Sequence, residues 1–303
     1  MFQNEYRQKN KNSSHIADFS IASSDFLSSK NTTKSHFFSN SKFELTKAKG
    51  LRSRNIYKPG SKTDFKISRE KFTDFLTCQK CFYMDRVKGV VSPSLPGWSL
   101  NAATDELLKK EFDLCRLSRT PHRLFEKFDL NHIIPFDHPD IKKWQDSLRA
   151  GLMSRHDNTN IILTGGVDDI WLNTITDELI VVDYKSQSNR RPVEPWSYLS
   201  SVYHTAYKIQ LDFYAYLLKE MGFEVATTGY FLVCNGDKEA DSFNGKLEFS
   251  ETIIPYETET DWIKPEIDKM YQLMNSCNVP SSNPSCENCA YVARRAEMEN
   301  LNR

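Results

Sequence analysis

The chain has 303 residues, of which 39% are hydrophobic and 12% aromatic, enough for one large domain or two small ones. It contains no apolar run long enough to span a membrane and no secretory-type leader, so we expect a cytoplasmic protein with no membrane partner. Its net charge is zero, but residues 1–66 hold 13 Lys and Arg against 5 Asp and Glu, and the remainder holds 27 against 35. This asymmetry predicts a basic arm joined to an acidic body.

The composition divides the chain into three parts. Residues 1–66 are rich in Ser, Asn and Lys and are predicted to be a disordered basic extension. Such an arm is either attracted to a phosphate backbone or simply solvated. Residues 67–293 are predicted to form the folded domain, and residues 294–303 a C-terminal tail.

Helical periodicity dominates the first half of the folded region. Ser68 opens a predicted helix with an apolar stripe made by Phe72, Phe75, Leu76, Phe82 and Tyr83. A second helix, capped by Ser99 and running to about Leu117, is predicted to face the core with Leu100, Ala103, Leu107, Leu108 and Leu114. A third, from His138 to about Arg155, is predicted to bury Ile141, Trp144, Leu148 and Leu152.

A hairpin is predicted next, because Ile161 to Leu172 and Leu179 to Tyr184 are rich in β-branched and aromatic residues and enclose a turn. Side-chain alternation places Asp183 and Lys185 on one face, and pairing of the arms brings Asp168 close to Asp183. Asp169 then faces the opposite layer. Two carboxylates beside an ammonium group are costly to bury, and Mg²⁺ is the simplest partner. The alternative is a surface hairpin with a Lys–Asp pair.

Further elements follow the hairpin. Tyr207 to Leu218 is strongly helical and places Gln210 and Tyr214 one turn apart on one face, with Gly222 as the stop. Two strands are predicted at 225–234 and 246–255, and a final helix at 261–276. Glycines 165 and 166, just before Asp168, indicate a bulge or a close backbone approach.

Four cysteines form two C-x-x-C pairs near the ends of the folded region. In a chain without an export motif, Cys78, Cys81, Cys286 and Cys289 favour a metal over disulfides. Four thiolates suit tetrahedral zinc or a [4Fe–4S] cluster equally well. The alternative is that these cysteines pack as small hydrophobes.

The ordered motifs Gly165-x-x-Asp168, Asp183-Tyr-Lys185 and Gln210-x-x-x-Tyr214 resemble those of the PD-(D/E)XK nuclease superfamily. More narrowly they are similar to its RecB-like exonuclease branch, which includes the RecB and AddB nuclease domains and CRISPR-associated RecB-like exonucleases. The resemblance covers roughly Ile67 to Val292. It implies an α/β fold with a restriction-endonuclease-like core, in which helices flank a mixed central sheet and a cysteine-clasped helical cap closes the domain.

The resemblance also implies an activity and roles for residues. The expected protein is a metal-dependent DNA nuclease, more specifically an exonuclease, in DNA repair, recombination or defence with a helicase or recombination partner. Asp168, Asp183 and the Tyr184 carbonyl would hold Mg²⁺ or Mn²⁺, and Asp105 would replace the His common in this branch. Lys185 would orient or deprotonate the attacking water. The remaining motif residues, Gln210 and Tyr214, would support Lys185 or the DNA.

The resemblance leaves alternatives open. RecB-like nucleases usually divide their cluster cysteines as one early and three late, whereas this chain has two and two, so zinc stays open. A catalytically inactive nucleic-acid-binding or scaffolding module on the same fold is the first rival function, although retention of both aspartates and the lysine favours catalysis. A metal-stapled interaction protein is the second. Strand preference, polarity, and DNA versus RNA are not determined by the sequence.

Overall fold

The computed structural model describes residues 50–93 and 99–301, which fold into helices packed on curled β-structure. The strands are β1 (Phe65–Ser68), β2 (Ile133–Pro135), β3 (Leu152–Arg155), β4 (Ile161–Gly165), β5 (Asp169–Asn173), β6 (Leu179–Gln187), β7 (Thr228–Gly236) and β8 (Phe249–Glu257). The helices are α1 (Arg69–Thr77), α2 (Gln79–Arg86), α3 (Ser99–Ser118), α4 (Ile141–Trp144), α5 (Pro195–Ser200), α6 (Thr205–Glu220), α7 (Ile263–Asn275) and α8 (Glu287–Leu301). Short 3₁₀ helices lie at Glu126–Phe128 and Val202–His204.

The larger sheet has the strand order β2-β5-β6-β7-β8, and a smaller one has the order β1-β4-β3. In the larger sheet β6 pairs antiparallel with β5 and parallel with β7, so it is an interior strand. Its first six residues are all buried, as expected for an apolar run covered on both faces.

Helices cover both faces of this sheet. On one face α6 buries every residue from Gln210 to Leu218, and α1 and α7 pack around it. On the other face Phe112 of α3 packs among Trp171, Val182 and Tyr184. A mixed sheet flanked by helices confirms the predicted α/β class. Within the described residues, no helix is both long and apolar enough to cross a membrane.

Both ends of the described chain differ from the sequence-based division. Residues 50–66, predicted as part of a disordered extension, pack against the body. Tyr57 is 2% exposed, and its hydroxyl donates to Asn275 Oδ1 at 3.1 Å. Residues 1–49 of that predicted extension lie outside the described residues. At the other end, α8 continues through residue 294, where a tail was predicted.

The first predicted helix is interrupted. Extended backbone at Cys78 divides it into α1 and α2, and the Ser68 hydroxyl caps α1 as expected.

The buried face of α3 was predicted correctly only at Leu108, which is buried as expected. Its core residues are Leu108, Phe112 and Arg116, at i, i+4 and i+8. Leu100, Leu107 and Leu114 are more than 60% exposed, and Ala103 is also exposed. Spacing alone favoured the leucine-rich stripe, but the aromatic cluster around Trp171 selected the neighbouring stripe, which carries the phenylalanine.

The helix predicted from His138 to Arg155 is also wrong. Only Ile141–Trp144 is helical, and residues 152–155 form strand β3, with Leu148 88% exposed. Gly151, at φ +86°, lies directly against the Gly165 carbonyl. Pairing of β3 with β4 therefore took precedence over a helical pattern that the sequence supported only locally.

The first arm of the predicted hairpin is divided as well. Its residues form β4 in the smaller sheet and β5 in the larger one, with Gly166 to Asp168 between them. Both glycines permit close contacts: a Cβ on Gly165 would lie 2.6 Å from Tyr214 Cε1, and one on Gly166 would lie 2.5 Å from Ser147 Cα.

We expect Gly166→Ala to destabilise the protein more than Gly165→Ala. The Tyr214 ring can shift by changing its side-chain torsions, whereas the Ser147 backbone cannot move alone. Overpacking of this kind costs about 1–3 kcal/mol. Urea unfolding of the two variants measures the difference, and an equal or reversed order would contradict this account.

Candidate active site and cysteine centre

The aspartates 168 and 183 and Lys185 converge at one end of the β5–β6 pair. Asp169 lies opposite Val182 in this ladder, so the preceding residue, Asp168, stands opposite Asp183. The Asp168 Oδ2 accepts a hydrogen bond from the Tyr184 backbone N–H at 2.8 Å. Lys185 Nζ forms an ion pair with Asp183 Oδ2. The strand thus presents a carboxylate and an ammonium on one face, while the Tyr184 side chain lies on the other.

Side chains at and near the start of α6 contact both Asp183 and Lys185. Gln210 Nε2 donates to Asp183 Oδ1 at 2.7 Å and lies 3.1 Å from the Tyr214 hydroxyl. Tyr214 is 3% exposed and rests against Gly165. The ring of Tyr207 lies 4.5 Å below Lys185 Nζ, a cation–π distance. Gln210 therefore contacts Asp183 rather than Lys185. Support of Lys185 was one of the two roles that the sequence predicted for it.

Helix α3 brings Asp105 to the same place. Lys109, one turn along, contacts Asp105 Oδ2 at 2.9 Å and Asp168 Oδ1 at 3.9 Å. Sequence analysis did not identify Lys109, although an acid and a lysine at i and i+4 are a recognisable helix pair. Only the packing of α3 across the sheet shows that this pair points towards Asp168.

Burial and crowding set the protonation of these groups. Burial, together with the charge of Asp168, raises the pKa of Asp183 to about 7, although Lys185 acts in the opposite direction. Burial and Asp168 likewise raise the pKa of Asp105. Burial acts to lower the pKa of Lys185, but Asp183 and Asp168 outweigh it and raise that pKa. The neighbouring carboxylates therefore favour the charged form of Lys185.

The donor set fits a hard divalent cation. One buried carboxylate oxygen, Asp105 Oδ1, accepts no hydrogen bond, while Asp183 Oδ2 is ion-paired with Lys185. Oxygen ligands suit Mg²⁺ or Mn²⁺. The three carboxylates are not fully assembled, because their ligand oxygens do not all lie within 4.8 Å of one another. The ammonium groups of Lys109 and Lys185 offset two of the three negative charges.

The neighbouring residue Asp169 has a different environment. It is fully buried on the opposite face, where Arg116 Nη2 contacts its Oδ1 at 2.6 Å and the Tyr184 hydroxyl donates to its Oδ2 at 2.9 Å. Sequence analysis placed Asp169 on this face but did not foresee that Arg116 would be its partner. Asp169 and Arg116 fix α3 to the sheet.

The four predicted cysteines meet between α2 and α8. Their Sγ atoms all lie within 4.8 Å of one another, and the closest contacts are Cys81–Cys289 at 3.4 Å, Cys81–Cys286 at 3.6 Å and Cys78–Cys289 at 3.8 Å. Cys78 caps the start of α2, and Cys286 directly precedes α8. Each C-x-x-C pair thus lies at a helix N-terminus, where the macrodipole favours thiolates.

The thiols do not share their ionisation equally. Burial opposes ionisation of Cys78, but backbone N–H groups of Cys81 and Asn283 lower its pKa to about 7. Burial and the neighbouring thiols raise the pKa of Cys81, and burial raises that of Cys289. A set of four thiolates therefore requires a cation to balance it.

Comparison with known proteins gives a family match. The model of the PD-(D/E)XK nuclease superfamily matches residues 116–294, more than half of the chain. The comparison with curated proteins found no match. Among solved structures, one titled "Crystal structure of SSO0001" is similar with a TM-score of 0.32 and 15% identity, covering 70% of this chain and 77% of that one.

We expect Asp168 and Asp169 to respond differently to neutralisation. Asp169→Asn leaves Arg116 buried without its counter-charge and should lower the free energy of unfolding by about 3–5 kcal/mol. Asp168→Asn, at a partly exposed carboxylate, should change it by less than about 1 kcal/mol. Urea denaturation followed by circular dichroism measures both, and equal losses would contradict the separation of roles.

Proposed function

The chain belongs to the PD-(D/E)XK nuclease superfamily, and from this premise we propose that it is a divalent-cation-dependent deoxyribonuclease of the RecB-like exonuclease branch. Members of the superfamily are generally nucleases that use divalent metals. The observation that carries the proposal is the convergence of Asp168, Asp183 and Lys185 at the end of β6. There the fully buried Asp183 carboxylate contacts both Lys185 and Gln210 beside Asp168.

Each residue of the site has a role that follows from its contacts. Asp168, Asp183 and Asp105 offer carboxylate oxygens, and the Tyr184 backbone offers its carbonyl between them. Gln210 fixes the orientation of Asp183 and thereby acts as a positioning residue. Lys185 stays charged and donates to a phosphate oxygen as negative charge develops there. When bound to these oxygens, Mg²⁺ or Mn²⁺ supplies Lewis-acid polarisation of the phosphate and lowers the pKa of a water.

The charge balance supports a bound cation. Three carboxylates share the site with two ammonium groups, and burial raises the pKa values of Asp105 and Asp183. Both shifts mean that added positive charge is favourable there. A divalent ion therefore replaces protons at these oxygens and stabilises the fold.

The main rival is a scaffolding or nucleic-acid-binding module that has lost catalysis. A module of that kind has no need to bury an ionisable Asp183 beside a charged Lys185, since an apolar pair would cost less. Retention of the costly pair favours an enzyme. Action in DNA repair, recombination or defence, with a helicase or recombination partner, is the extension of this proposal that the RecB-like motifs support.

We expect Lys185→Ala and Asp183→Ala to lower the rate of DNA cleavage by at least about 100-fold. The first removes a charged donor to the reacting phosphate, and the second removes a ligand of the cation. The assay follows linear and circular DNA with Mn²⁺ or with a chelator, and loss of linear substrate alone identifies an exonuclease. Lys110→Ala and Glu106→Ala are the matched controls, since both side chains lie exposed on α3.

Binding of the cation is measured separately. Mn²⁺ should raise the melting temperature of the wild type but not that of Asp183→Ala. Cleavage at the wild-type rate by either site variant would remove the catalytic assignment. An unchanged melting temperature of the wild type on addition of Mn²⁺ would contradict the proposal that the site binds a cation.

For the cysteine centre we propose a structural zinc ion. Zinc–sulfur bonds of about 2.3 Å give a tetrahedron with edges of about 3.8 Å, and the closest Sγ–Sγ contacts are 3.4–3.8 Å. In a [4Fe–4S] cluster each cysteine binds a different iron, which separates the sulfurs further. The compact set therefore supports a single ion that ties α2 to α8.

We expect Cys81→Ser and Cys289→Ser to lose one equivalent of zinc and to melt at lower temperature, because metal binding contributes directly to folding. Cys277→Ser is the matched control, since Cys277 is exposed and outside the cluster. Elemental analysis and the visible spectrum provide the measurement. Bound iron with broad visible absorption would identify an iron–sulfur cluster instead of zinc. Absence of both metals would contradict the proposal of a metal centre.

A further inference from the structure

Lys109 brings a second ammonium group to the candidate site, in addition to that of Lys185. Its Nζ lies 2.9 Å from Asp105 Oδ2 and 3.9 Å from Asp168 Oδ1. Both of these carboxylates are among the ligands proposed above for a divalent cation. The ammonium group of Lys109 therefore already supplies positive charge to two of the groups that would bind the ion.

Burial distinguishes Lys109 from the lysine that follows it on α3. The side chain of Lys109 is 21% exposed, whereas that of Lys110 is 65% exposed and pairs with the exposed Glu106. An ion pair between exposed side chains contributes little to stability. A largely buried ammonium group, in contrast, requires a compensating charge, and so do the carboxylates that it contacts. Lys109 and its two aspartates therefore depend on one another in the metal-free protein.

The contacts of Asp105 leave one of its oxygens available to an ion. Lys109 contacts Oδ2, while the buried Oδ1 accepts no hydrogen bond from the described residues. A carboxylate oxygen attracts a hard cation, but an ammonium group on the same carboxylate repels that cation. The lysine side chain is flexible, and α3 is held separately by the Arg116–Asp169 pair. The ammonium group can therefore move away from the carboxylates while the helix stays in place.

We propose that Lys109 is an internal counter-ion that competes with the divalent cation for Asp105 and Asp168, and so sets the cation concentration at which the site fills. The inference rests on the proposed cation-dependent function and adds a residue that determines the metal affinity. Without the ion, Lys109 offsets the repulsion between the two carboxylates. With the ion bound, the same positive charge opposes binding. Lys109 thus stabilises the metal-free protein and weakens the metal complex.

Calorimetric titration of the full-length protein with Mn²⁺ tests the competition directly, and Asp183→Ala identifies any heat that arises outside the site. The variants Lys109→Met and Lys109→Gln should bind Mn²⁺ about tenfold more tightly than the wild type, because a positive charge beside the ion is removed. The variant Lys109→Arg retains that charge and should keep an affinity close to that of the wild type. The matched control is Lys110→Met, which changes the net charge equally at an exposed position and should also bind like the wild type.

Thermal unfolding separates this role from a purely structural one. Without added Mn²⁺, Lys109→Met should melt at a lower temperature than the wild type, because Asp105 and Asp168 lose their counter-charge. At saturating Mn²⁺ the difference should vanish or reverse, because the ion binds the variant more tightly and stabilises it more. A lysine that only packs α3 against the sheet would lower the melting temperature equally in both buffers. The metal-free buffer contains no chelator, so that the cysteine centre is left intact.

The outcomes distinguish failure of this inference from failure of the cation site. Equal or weaker binding of Mn²⁺ by the two neutral variants would overturn the inference and leave the cation site in place, as would an equal loss of melting temperature in both buffers. Absence of Mn²⁺ binding by the wild type and by every variant would overturn the cation site and the inference with it. Circular dichroism establishes that each variant is folded, and if Lys109→Met does not fold, Lys109→Gln decides.

Discussion

The structure depends on a carboxylate, Asp183, placed on an interior strand that is otherwise apolar. Full burial makes its charge costly, and the fold compensates with Lys185 on the same strand and Gln210 on the packed helix α6. That helix is buried along nine consecutive residues, so the position of Gln210 is determined by the core itself. The chemistry of the site and the stability of the core therefore share the same elements, and neither can change without the other.

Two adjacent aspartates show how a strand separates chemistry from support. Asp168 faces the cluster, and Asp169 faces the layer of α3, where Arg116 and the Tyr184 hydroxyl satisfy it. Because Arg116 and Asp105 belong to the same helix, the buried ion pair also sets the position at which Asp105 and Lys109 reach the cluster. A structural contact on one face of the sheet thus determines a chemical contact at its end.

The cysteine centre concerns the attachment of α8 to the rest of the folded body. The helix α8 buries little, since most of its residues are exposed, so hydrophobic packing alone gives it a weak attachment. Two helix N-termini present thiols to one point, and the zinc ion proposed there would supply the missing attachment. The centre also brings α2, which precedes the candidate site in the chain, next to the segment that follows that site.

Local patterns in the sequence were sufficient wherever the relevant residues were close together or fixed by a periodic element. Alternation along β6 placed Asp183 and Lys185 together, helical spacing paired Gln210 with Tyr214, and ligand spacing identified the cysteine pairs. Tertiary packing decided the rest. It selected the Phe112 stripe of α3 over the leucine stripe, formed β3 where a helix was predicted, and brought Lys109 and Arg116 to the two aspartates. The physical reason is that a single element offers several faces of similar hydrophobicity, and only the partner that packs against it determines which face is buried.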